Sequence, residues 1–155
     1  MTKTNSGKSP LWLMTADRRS ARLLPATWTE HGRLHVEESV TLHEQWVESE
    51  HGRPSSRSVR DIHGTASEGN ETEERTHRFA KEIARWLEQE METRGIDRIE
   101  CFCSRKLLGV LRGLLSDRLR QRVFDHATDL AKLTPGELAK HRAVLAAVGA
   151  ATESS

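Results

Sequence analysis

Apolar positions are sparse along this chain and fall in blocks of differing period. Leu11-Trp12-Leu13-Met14-Thr15-Ala16 is a compact apolar run that ends in a polar turn, Asp17-Arg18-Arg19-Ser20. Ala21-Arg22-Leu23-Leu24-Pro25-Ala26 follows and is again strand-like, so the two runs read as a β-hairpin. After a second turn at His31-Gly32-Arg33, the stretch Leu34 to Leu42 alternates, with Leu34 and Val36 on one face and His35, Glu37 and Ser39 on the other. The alternation slips near Glu38, which predicts a bulge there. Three strands joined by short turns form an antiparallel meander.

From Trp46 to Asn70 the apolar content collapses, and Gly52, Pro54, Gly64 and Gly69 punctuate the segment. The pattern predicts a long polar loop over residues 46–70, and such loops are usually functional or disordered. Asn70 with Glu73 resembles a capping box and predicts a helix start. Phe79, Ile83, Trp86, Leu87 and Met91 mark that helix's buried stripe, and Arg94-Gly95 offers its C-cap. Arg98 to Cys103 then reads as a short buried strand. Ser104 stands as N-cap to a helix whose leucines recur at helical spacing from Leu107 to Leu119. Arg122 to Thr128 is a final short strand, and Thr134-Pro135-Gly136-Glu137 opens a last helix that runs to about Val148.

The order is βββ, loop, α, β, α, β, α. It predicts a single α/β domain over residues 11–148, with a disordered N-terminus over 1–10 and a frayed tail over 149–155. The sheet is expected to be mixed, with the meander antiparallel, the later strands parallel and helices on both faces.

Composition narrows the function classes. Of 155 residues, 24 are Lys or Arg and 23 Asp or Glu, so the net charge is +1 and any basic site must be local. No apolar run approaches the roughly 20 residues of a membrane helix. The opening residues contain no apolar signal core, so the expected location is cytoplasmic. Cys101 and Cys103 are two residues apart on one strand, too divergent for a disulfide, and read as small core residues. The eight histidines are dispersed; His31 and His35 alone stand at HxxxH spacing, across a turn rather than on a helix face, so no metal or other cofactor is expected.

Several short stretches, taken in order, resemble the bacterial host-attachment protein family. They are Trp12 to Arg22 around Ala16-Asp17, Gly52-Arg53, Phe79-Ala80-Lys81-Glu82-Ile83, Leu108-Gly109-Val110-Leu111-Arg112, and Asp129-Leu130 to Leu138. The likeness spans roughly Leu11 to Arg142. That family is similar in fold to the middle domain of archaeal and eukaryotic peptide-chain release factors, a ribonuclease H-like α/β layer. The resemblance implies a translation-linked or ribosome-associated role. Release factors hydrolyse peptidyl-tRNA through a Gly-Gly-Gln loop, and this sequence has no such triplet.

Three groups of residues carry candidate chemistry. Arg53, Arg57 and Arg60 in the polar segment suit phosphate recognition, although no aromatic residue is interleaved to stack a base. Ser104, Arg105 and Lys106 stand where a strand's carboxyl end meets a helix's amino end, the place where ligands collect in open α/β sheets. Two cations in a helix's first turn oppose its dipole unless an anion is bound. Asp17, with Arg18 and Arg22 supporting the hairpin turn, is expected to cap its own backbone and to share a sheet edge with Ser104. The expected function is therefore a binding module for RNA or the ribosome. The alternatives are a hydrolase of a nucleotide or tRNA ester acting through Asp17, and a protein-interaction adaptor anchored by Trp28 and Trp46.

Overall fold

The computed structural model describes residues 10–44 and 54–154, with side chains over 10–44 and 72–151. Six strands form one sheet: β1 (Leu11–Ala16), β2 (Ser20–Trp28), β3 (Leu34–Val36), β4 (Val40–His43), β5 (Ile99–Phe102) and β6 (Val123–His126). Five helices accompany them: α1 (Pro54–Arg94), α2 (Arg105–Leu114), α3 (Asp117–Arg120), α4 (Pro135–Lys140) and α5 (Arg142–Ser154). The strand order is β3-β2-β1-β5-β6, with β4 also paired to β2. The meander is antiparallel, whereas β1–β5 and β5–β6 are parallel. The expected mixed α/β sheet is what forms.

The slip near Glu38 is a break in the third strand. Ala26 pairs with Val36 and Leu23 with Val40, so Leu24 and Pro25 oppose Glu37, Glu38 and Ser39. The carbonyl of Pro25 accepts the Glu37 N–H at 3.1 Å, so Pro25's nitrogen, which has no hydrogen, faces the same break. A proline inside a paired strand is tolerated at such a bulge because no ladder bond is lost there.

The strands separate two apolar layers. Met14, Leu23, Ile99 and Cys101 face α1 and α2, where they meet Phe79, Ile83, Leu87 and Leu111. Leu13, Leu24 and Phe102 face the other way, against Leu138, Val144 and Val148 of α4 and α5. Each large side chain buried this way stabilises the fold by about 1.5–3 kcal/mol. Cys101 and Cys103 are fully buried free thiols, as expected. A hydrogen bond with Cys103, followed by burial, pushes the Cys101 thiol well above its usual range.

The helix ends follow local chemistry. Gly95 has φ of +63°, and the Ile96 N–H bonds to Met91 O at 3.0 Å, a Schellman closure with Ile96 and Met91 both buried. Thr134 and Glu137 bond each other's backbone N–H groups at 3.1 and 2.9 Å, the reciprocal capping box. Ser116 accepts the Leu119 N–H at 3.2 Å and starts the separate short helix α3, so the leucine stripe from Leu107 to Leu119 spans two helices where one was expected.

Two other expectations are corrected. Residues 54–70 of the expected loop are helical, and Asn70 lies inside α1 rather than capping it. Pro54 is tolerated at a helix start, and extending an existing helix costs far less than nucleating one. Gly64 and Gly69 each cost only about 1 kcal/mol. Residues 46–53 of that loop, and residues 1–9, lie outside the described residues. At the other end, α5 continues to Ser154 instead of fraying at Gly149. Alanines favour the helix, and Ala147, Val148 and Ala151 are buried, so packing extends that far.

Candidate functional site: a cationic cleft at the carboxyl ends of the parallel strands

The β1–β5 register places Thr15 beside Phe102. Because the strands are parallel, the segments that follow them, at Asp17 and at Ser104, leave the sheet at the same edge. The loop after β6 leaves there too. Between these segments lies a cleft of about 740 Å³. Asp17, Arg18 and Arg19 contribute from the hairpin turn, and Ser104, Lys106 and Leu107 from the start of α2. Thr76 of α1, with Asp129 and Lys132 of the loop after β6, completes the lining.

The two acids serve the backbone. Asp17 Oδ1 accepts the N–H groups of Arg19 at 2.8 Å and Ser20 at 2.9 Å, which fixes the hairpin turn. Asp129 Oδ1 accepts the Ala131 N–H at 3.2 Å. Arg18, Arg19 and Lys106 are exposed, and so is Lys132. Among the described residues none of these four has an ion-pair partner. Four cations thus face two carboxylates already committed to backbone bonds, and the cleft has a positive field.

The walls are anchored from outside. Arg75 of α1 grips Glu44 with two bonds, at 2.9 and 3.2 Å, and the Glu44 N–H bonds to Arg19 O at 2.8 Å. The hairpin turn is thereby tied to α1 beside Thr76. Arg22 donates to Thr15 Oγ1 at 3.0 Å and to Leu130 O at 3.5 Å, and it pairs with Glu38 at 3.5 Å. It holds the loop that carries Asp129 and Lys132 against β1 and β2. Ser104 caps α2 by accepting the Leu107 N–H at 3.2 Å. The earlier first-turn amides of such a helix have no intrahelical acceptor.

The structure therefore brings together Asp17, Arg18, Ser104 and Lys106 of the expected site. Arg105 starts α2 but does not line the cleft, and Arg22 is a strut behind the wall. Arg53 lies outside the described residues. Arg57 and Arg60 are on the α1 backbone, with side chains outside the described residues. Arg60 precedes Thr76 by 16 residues on one helix, about 24 Å along its axis, so the backbone positions of Arg57 and Arg60 are apart from the cleft. Asp129 and Lys132 were missed as site residues. The signal for them is positional: they follow a strand parallel to β5, where the carboxyl ends meet. Among the described residues, no group of three His, Cys, Asp or Glu gathers to hold a metal, and no helix is long and apolar enough to cross a membrane.

These features define a mixed-sheet α/β domain with an anchored cationic cleft at one sheet edge. A family model described as "Protein required for attachment to host cells" matches residues 12–141. The match covers most of the chain, and the chain belongs to this host-attachment family. No curated protein matches it.

Proposed function

We propose that the chain is a binding module that grips the phosphates of RNA in this cleft, in a ribosome-associated or translation-linked setting. The observation that carries the reading is the pairing pattern. Arg18, Arg19, Lys106 and Lys132 converge without ion-pair partners among the described residues, while Asp17 and Asp129 accept backbone bonds. Lys106 sits in the first turn of α2, where an anion would relieve its conflict with the helix dipole. Both carboxylates hold turns, a structural duty that suits binding better than proton transfer. The family resemblance, which implies a fold like the middle domain of release factors, supports the same reading. Arg57 and Arg60, farther along α1, offer a second stretch for a long anionic partner.

Co-sedimentation with ribosomes across a salt series tests this reading. The chain is expected to pellet at low salt and to be released as salt rises, because phosphate contacts displace counterions. A variant carrying Lys106→Ala and Lys132→Ala is expected to be released at lower salt. Equal pelleting of both proteins at every salt concentration contradicts the proposal.

A further inference from the structure

A second cluster of charge lies on the flank of the sheet, on the face that carries α4 and α5. Val123 and Cys101 point to the α1 face, so their neighbours Phe124, Glu100 and Phe102 point to the other. Phe102 pairs with His126 in register, and their rings stack with centroids 4.6 Å apart and planes 17° from parallel. The Arg98 guanidinium lies over the Phe124 ring, 3.8 Å from its centroid. Between them stands Glu100, only 2% exposed, which accepts from Arg98 Nε at 2.7 Å and lies 2.7 Å from His126 Nε2. Burying a carboxylate is costly, and an apolar residue of similar size would often serve stability as well. What this carboxylate achieves is to fix two flat cationic or aromatic groups, each about a third exposed at 31%, beside Phe124 at 39%.

We infer that Arg98, Phe124 and His126 form a base-stacking platform for single-stranded RNA. Unpaired bases are recognised by stacking on aromatic rings and guanidinium planes, and the sheet face here presents both in a fixed arrangement. β6 is an edge strand, so a ligand can approach from the side. The flanking charge suits a phosphate backbone: Arg120 is exposed and Arg122 half-buried just before β6, and their acidic partners, Asp117 at 2.6 Å and Asp97 at 3.9 Å, are themselves exposed. The platform rests on the RNA reading for its ligand, but it uses none of the cleft's residues. It supplies the aromatic contact that the arginine segment lacks. It also narrows the ligand from any polyphosphate to a strand with unpaired bases.

Fluorescence anisotropy on the full chain tests the assignment with a short oligouridylate, an abasic oligonucleotide of equal length, and free uridine monophosphate. The base-bearing strand is expected to bind more tightly than the abasic one. Phe124→Leu, at an exposed position, is expected to weaken the base-bearing strand about tenfold and to leave the abasic strand unchanged. Phe124→Trp keeps a ring and is expected to retain binding, which separates stacking from any general disturbance of the fold. Equal affinity for the two strands overturns the platform, as does equal loss in both variants or no effect of Phe124→Leu. Uridine monophosphate competing as well as the oligonucleotide overturns the single-strand assignment. If Lys106→Ala and Lys132→Ala weaken both strands while Phe124→Leu changes neither, the platform fails and the cleft stands. If no strand binds, both fail.

Discussion

In the cleft, Asp17 and Asp129 hold backbone amides while the cations face water; on the β5–β6 flank, Glu100 is buried and Arg98 and His126 close over it. The difference lies in which charge the fold has taken out of water. Exposed cations cost little to keep and remain available to a ligand. A buried carboxylate costs several kcal/mol to desolvate, so its partners become obligatory and hold one geometry. The cleft should therefore tolerate loss of its cations, whereas the flank should not.

The sharpest break in that comparison is expected at Arg98. Arg98→Met leaves Glu100 buried with one partner and should cost about 2–3 kcal/mol in urea unfolding, discounted from a fully buried pair because Arg98 is partly exposed. Glu100→Leu removes the buried charge itself and should stay within about 1 kcal/mol of wild type. A larger cost for Glu100→Leu than for Arg98→Met would reverse the interpretation of the flank. In the cleft, Asp17→Ala should cost about 1–2 kcal/mol through two lost backbone bonds, roughly twice the effect of Asp129→Ala, which loses one.

The core between these regions carries a pH signature. The raised Cys101 thiol stays protonated in the folded state after the unfolded chain's thiol has ionised. Stability from this group is present below the unfolded thiol pKa of about 8.5 and falls above it, by at most about 1.4 kcal/mol per pH unit. Cys101→Ala should flatten that alkaline slope in denaturation measured from pH 7 to 10. The smallest effect belongs to the cleft lysines. Lys106→Ala should leave stability unchanged or raise it by a few tenths of a kcal/mol, since a cation leaves the helix's positive end. A clear loss of stability there would mean that the lysine serves the fold.

Much of the architecture was legible because local signals agree with the packing. The leucines of α2, the Ser104 cap and the Thr134 box all act through near neighbours, and the bulge announced itself as a slipped alternation at Glu38. The first half of α1 was not legible. Its glycines and serines read as a loop, while the described backbone continues the helix that Phe79, Ile83 and Leu87 dock on the sheet. Asp17 and Ser104 could be paired from sequence because each follows a strand. Lys132 also follows a parallel strand, but its place in the cleft depends on Arg22 reaching Leu130 across the fold, a contact between distant residues that no local pattern signals. Arg98 and Glu100 stand two residues apart on one strand and so share a face, whereas the pairing of Glu100 with His126 is visible only with the strand register.

The most direct test of the cleft is the salt dependence of oligouridylate affinity for the wild type and for a variant combining Arg18→Ala, Lys106→Ala and Lys132→Ala. Removing three phosphate contacts is expected to shrink the slope of log affinity against log salt by about 2. Identical slopes and affinities for the two proteins would contradict a cleft that grips phosphate.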